Sequence, residues 1–129
     1  MIEIKISHGE LIDKITILEI KQFKIQDKAK LKEVSNELEI LNKVVETELS
    51  KSLDVLLDLK ESLKETNLKL WEVEDKLRIK EKEKIFDEEF IELARKVYYL
   101  NDERFENKNK INLLFDSKLN EVKEYIEYK

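Results

Sequence analysis

Three polar side chains, Asn101, Arg104 and Lys108, interrupt an otherwise apolar stripe in this sequence. The stripe runs Phe90, Ala94, Val97, Asn101, Arg104, Lys108, Ile111, Phe115, at alternating steps of four and three. This is the seam a helix turns toward its neighbours. A guanidinium and an ammonium on such a seam need partners, because leaving one charge of a buried pair unmatched costs roughly 3–5 kcal/mol. A second stripe, Leu53, Leu56, Lys60, Leu63, Asn67, Leu70, Glu74, Leu77, Glu81, turns polar at Asn67 and Glu74. Folding the two stripes into a hairpin about the break near Ile85 brings residues whose numbers add to roughly 170 to one height. Glu74 then comes level with Arg95, Arg78 with Glu92, and Asn67 with Asp102 to Arg104. The expected result is one polar layer lined by Asn67, Glu74, Asn101 and Arg104, with Trp71, Asp75, Tyr98 and Lys108 at its edges.

Two roles suit such a layer. A buried network can fix register and pairing, as single polar seam residues do in coiled coils. A pocket between helices can instead hold a ligand. Arg95, Arg104 and Lys108 would then grip an anionic small molecule, since Arg binds carboxylate or phosphate bidentately. Glu74 or Asp75 would serve as base or bind a cation. Glu72 with Asp75, and Glu88 with Glu89 and Glu92, would suit Mg²⁺ only if three or more carboxylates converged. With 30 acids in the chain such pairs arise by chance, so no metal or other cofactor is expected.

A secondary candidate is the start of the first helix: Ser7, His8, Gly9 and Glu10, with Lys14 a turn on. Free amides at Gly9 and Glu10 and the helix dipole could hold an anion. Ser7-His8-Gly9-Glu10 also reads as a capping box, which competes for the same amides. His8 is the only histidine, and no Ser or Asp partner can be placed beside it. Trp71 and Tyr98 read as core aromatics, and Tyr125 and Tyr128 are assigned no role.

Long helices must position these groups. Of 129 residues 43 % are charged, there is no Pro and a single Gly, a mix that favours helices and starves turns and sheets. The apolar 41 % is periodic, which argues against disorder. Helix one is expected over about His8 to Ile25, with a core face of Leu11, Ile15, Leu18, Gln22 and Ile25, widened by Ile12 and Phe23, and Asp13 to the side. Asp27 should cap helix two, whose face is Leu31, Val34, Leu38, Leu41 and Val45. Ser50-Lys51-Ser52 marks the next break. Helix three follows from about Ser52 to Lys82 or Lys84, with Ser62 and Thr66 as kink candidates. Asp87 should cap helix four, and Asp116-Ser117 should either cap a last helix bearing Phe115, Leu119, Val122 and Ile126 or sit on one continuous helix. Ile2-Glu3-Ile4-Lys5-Ile6 alternates like a half-buried strand and would need a pairing edge. The fold class is all-α: an antiparallel bundle of four or five helices with a short extended N-terminal arm, in a single domain over residues 1–129.

The net charge is −5 with acids and bases interspersed, so no nucleic-acid partner is expected. There is no cysteine, which excludes disulfides and thiolate metal sites. No apolar run is long enough to span a bilayer and no signal-peptide pattern opens the chain, so a cytoplasmic protein without membrane insertion is expected.

Three stretches carry a family resemblance: Ser7 to Lys21, Leu70 to Asp75 with Arg78, and Glu92 to Tyr98 with Asn101 to Arg104 and Lys110 to Asn112. Together they resemble a family of small bacterial and phage-borne proteins of unknown function. That likeness implies a helical, single-domain protein whose marked positions include the polar-layer residues. All-helical chorismate mutases are similar in size and hold a dicarboxylate with Arg and Lys in a bundle core; Arg95, Arg104, Lys14 and Lys108 could play that part, without a residue-by-residue match. Glu88-Glu89-Phe90-Ile91-Glu92 fits the first half of the Mg²⁺ motif of all-helical nucleotide pyrophosphohydrolases, but the second half does not follow. The expected function is a non-enzymatic interaction module that forms homo-oligomers or binds a protein partner through its seams or arm. The alternative is a binder or enzyme for an anionic small metabolite, chorismate-mutase-like or related to nucleotides and sugar nucleotides. No catalytic residue is assigned.

Overall fold

The computed structural model describes residues 1–49, 53–116, 121–124 and 126–128. Among them are four helices and no strand: α1 (His8–Lys24), α2 (Lys28–Glu48), α3 (Leu53–Glu83) and α4 (Glu88–Leu114). Local chemistry explains most of the boundaries. Ser7 Oγ accepts the Glu10 amide at 3.1 Å and starts α1. The reciprocal half of the capping box is replaced, because the Glu10 carboxylate turns to Lys108. Asp27 accepts the Ala29 and Lys30 amides, and Asp87 accepts the Phe90 amide at 3.0 Å. α3 continues as one helix through Ser62 and Thr66. It closes with Lys84 in the left-handed region (φ 58°), where the Ile85 amide donates to Lys80 O and the Lys84 amide to Glu81 O. A residue with a Cβ makes this turn at a cost of roughly 1–2 kcal/mol.

α3 and α4 form an antiparallel hairpin in the expected register: Ser62 Oγ donates to Asn107 Oδ1 at 3.2 Å, and Lys80 Nζ reaches Asp87 Oδ1 at 3.0 Å. α1 packs on α2, α3 and α4, whereas α2 packs on α1 alone. The main core joins Leu11, Ile12, Ile15 and Leu18 of α1 to Val34 and Leu38 of α2, Leu56 and Leu63 of α3, and Ile111 of α4. A smaller core, Leu70, Val73, Leu93 and Leu100, belongs to the hairpin alone.

Four expectations are corrected. Phe23 is 82 % exposed and Gln22 is exposed, bonded to Ser35, whereas Ile20 and Asp13 are buried. The reason is that α1 has three neighbours, so its enclosed surface extends round the helix beyond a single stripe. The arm over residues 1–6 is exposed and forms no strand, because no edge lies beside it. Trp71 is half-buried and Tyr98 is exposed, outside both cores. α4 stops at Leu114, with Asp116 turning at φ 51°, and Val122 and Ile126 are non-helical and exposed. The Ser50-Lys51-Ser52 break, Ser117, Leu119 and Tyr125 lie outside the described residues.

At Gly9 α1 comes close to α4. Its amide donates to Asn112 Oδ1 at 2.7 Å, and an added Cβ would lie 2.5 Å from the Lys108 carbonyl oxygen. Backbone cannot yield as a side chain can, so Gly9→Ala should destabilise the fold by about 1–3 kcal/mol. Urea unfolding checks this, and unchanged stability would refute the contact.

Candidate functional site

The polar layer forms where α1, α3 and α4 meet, and its acid comes from α1. Asp13 is 2 % exposed. Arg104 grips it with both arms, Nε to Oδ1 at 2.9 Å and Nη2 to Oδ2 at 2.6 Å. Asn67 Nδ2 donates to the same Oδ1 at 3.0 Å and to Thr16 Oγ1 at 2.9 Å. Thr16 Oγ1 in turn donates to the Asp13 carbonyl at 2.8 Å. The hydrogen bonds to Asp13 raise the Arg104 pKa above its already high ordinary value, outweighing burial. This is a fixed ion pair with every carboxylate oxygen engaged.

A second cation sits one turn along α4. Lys108 Nζ lies 2.7 Å from Glu10 Oε1 and 2.7 Å from Glu121 Oε2, and its side chain is 9 % exposed. Burial pushes this ammonium toward neutrality, but the hydrogen bonds to Glu10 and Glu121 and the charge of Asp13 more than offset it, and the net shift is upward. Beside it, Asn107 Nδ2 donates to Thr66 Oγ1 at 3.3 Å, extending the layer between α3 and α4.

On the outer side of α4, residues 121–124 and 126–128 lie against the helix. Lys123 Nζ sits 5.5 Å from the centre of the Phe105 ring and 3.5 Å from Asn101 O. The Tyr128 hydroxyl bonds Asp102, and its ring meets Tyr98 and Tyr99 edge-on at 4.7 and 4.9 Å. Between segment and helix runs an open crevice of about 680 Å³, lined by Tyr98, Asn101, Asp102, Lys123 and Glu124 among others.

Asn67 and Arg104 therefore meet at Asp13, with Lys108 one turn further along α4. Asn101 and Asp102 are half-buried on the crevice side. Glu74, Asp75 and Arg78 are exposed on α3, because that part of the hairpin has no third helix to enclose it. Arg95 is exposed too; it bonds Glu92 at 3.2 Å and is raised in pKa chiefly by Tyr98. At the secondary candidate the Gly9 and Glu10 amides are taken by Asn112 and Ser7, His8 stacks on Phe115 at 4.8 Å, and Lys14 is exposed. Asp13, Thr16, Asn107 and Asn112 were missed. A signal for Asp13 existed: Ile12, Thr16 and Ile20 form a second stripe on α1 that Asp13 adjoins. Among the described residues no three His, Cys, Asp or Glu side chains gather to hold a metal, and no helix is long and apolar enough to cross a membrane.

Fold and site define an all-α helical bundle with a buried, internally paired ionic layer. The chain belongs to the family of unknown function DUF6165, whose members' shared pattern matches residues 2–127. No curated protein and no solved structure matches it.

Arg104→Met leaves the Asp13 carboxylate buried with one side-chain donor. The expected loss is about 3 kcal/mol, the low end for a broken buried pair because Arg104 keeps 31 % of its side-chain exposure. Adding Asp13→Leu should restore most of it, since a hydrophobic pair tolerates burial. Urea unfolding of both single variants and the double variant checks this, and a double variant no more stable than either single one would refute it.

Proposed function

We propose that the chain is a non-enzymatic interaction module that associates with a second copy of itself through the free end of the α3–α4 hairpin. One observation carries this: around the small hairpin core, Ile79, Ile85, Phe86 and Ile91 are each 41–56 % exposed. Large apolar side chains exposed together near one end of a hairpin are what protein contacts use. Charge supports a second copy as the occupant. The end of α3 carries Lys76, Arg78, Lys80 and Lys82 against Glu81 and Glu83, and the start of α4 carries Asp87, Glu88, Glu89 and Glu92, of which Asp87 and Glu89 meet Lys80 and Glu92 meets Arg95 within the chain. A two-fold contact, in which each copy offers the same surface, can set the cations of one against the acids of the other. Sedimentation velocity over the micromolar range should give a monomer–dimer equilibrium. The double substitution Phe86→Glu with Ile91→Glu, at exposed positions, should leave a folded monomer. A wild-type monomer at high micromolar concentration would overturn the proposal.

A second role, binding an anionic small metabolite in the polar layer, has its own support: Arg104 and Lys108 stand one turn apart on α4, and Arg104 is partly exposed. Its test is thermal unfolding against phosphate, nucleotides, sugar nucleotides and dicarboxylates. A ligand at a thousand times its dissociation constant adds about 4 kcal/mol, a shift of several degrees or more in a domain this size. No shift with any class would remove this role.

A further inference from the structure

Lys108 is met by two carboxylates, and they arrive by different routes. Glu10 is held on α1, whereas Glu121 stands on the non-helical segment beyond α4. That segment is not built into either core: Val122 is 88 % and Ile126 90 % exposed. Its described contacts with α4 are side-chain ones, and the crevice opens between the two. A loosely laid segment thus delivers one carboxylate to the one buried lysine among the described residues.

Charge gives the reason that the place is exchangeable. Arg104 and Lys108 supply two positive charges against three carboxylates, Asp13, Glu10 and Glu121. Withdrawing Glu121 leaves two against two, so the cluster stays balanced while empty. An incoming oxyanion then restores the charge that the fold already accommodates. Asp13 has no such freedom, being fully engaged by Arg104 and Asn67.

We propose that Lys108, with Arg104 beside it, is a subsite for the oxyanion of a small carboxylate- or phosphate-bearing ligand, and that Glu121 fills it as a tethered competitor until ligand displaces it. This rests on the anion-binding role above and adds the position of the anion and the group that guards it. The Glu121 carboxylate marks the place of the ligand oxygens, 2.7 Å from Nζ.

The test compares the full wild-type chain with Glu121→Ala and with Glu121→Ala plus Lys108→Met. Inorganic phosphate and malonate are titrated separately against chloride at equal ionic strength, following the Gly9 amide resonance, which adjoins Lys108. A segment closed about nine-tenths of the time lowers apparent affinity about tenfold, so Glu121→Ala should bind about tenfold more tightly than wild type. Adding Lys108→Met should abolish the gain, and the stronger of the two anions names the ligand class. Equal affinity in wild type and Glu121→Ala overturns the competitor, as does a gain that survives Lys108→Met. Should the double variant not fold, the ratio of the first two proteins decides alone. Binding that is unchanged by Glu121→Ala but lost in Arg104→Met would sink the competitor and leave the anion-binding layer standing. No binding of either anion to any variant sinks the subsite, while the wider ligand panel still tests the layer separately.

Discussion

One buried carboxylate sets the terms for this fold. Asp13 has almost no contact with water, and a charge so placed costs several kcal/mol unless it is matched. Its donors come from two other helices, Asn67 on α3 and Arg104 on α4. All three helices must therefore be in register at once. Sliding α4 by one turn, about 5.4 Å, would bring Leu100 or Lys108 to the carboxylate in place of Arg104. Leucine-rich seams tolerate such slips because one apolar contact resembles the next; a bidentate guanidinium does not. The layer adds little net stability over an apolar equivalent, and its contribution is to make one alignment of the seams better than its neighbours.

The position of α1 follows from that constraint. It is the only helix in contact with all the others, and the close approach at Gly9 lets its first turn rest on the backbone of α4. α2 is tied differently. Val34 and Leu38 are its only buried side chains, and among the described helices α1 is its only neighbour. By burial α2 is the least anchored of the four helices, whereas α3 and α4 share a core of their own. The ionic layer sits between these regions, at the junction that decides whether α1 and the hairpin act as one body.

Much of this was legible because it is local. Ser7, Asp27 and Asp87 cap helices through bonds to amides two or three residues on, so sequence spacing is enough to find them. The α3–α4 register was legible because the connection is too short to permit another. Asp13 was harder to see, because enclosure depends on how many neighbours a helix has, and the one trace of that number in α1 is its second stripe of Ile12, Thr16 and Ile20. With α3 and α4 considered as a pair, Glu74, level with Arg95, was the one acid placed in the layer; the third helix brought a closer one to Arg104. Beyond α4 the step of four between Val122 and Ile126 resembles a helical face, yet both side chains stay exposed on an irregular segment. Spacing alone makes a helix only when something is there to receive the face.

The two cations of the layer differ in how replaceable their partners are, although they stand one turn apart. Arg104 meets a carboxylate that its own helix has already ordered, so forming the pair costs little further entropy. Lys108 meets Glu121 only if the segment beyond α4 is held in place, and fixing backbone costs roughly 1–2 kcal/mol per residue. Against that, an ion pair whose carboxylate keeps 34 % of its side-chain exposure returns about 0–1 kcal/mol. The segment must draw the rest from contacts such as Tyr128 on Tyr98 and Lys123 on Phe105, all at the helix surface. The pair with Glu121 is therefore the less firmly held, whereas Asp13 is engaged by three side-chain bonds from two helices. The guanidinium is thus committed to the fold by a buried carboxylate, whereas the ammonium takes its second carboxylate from a segment outside both cores.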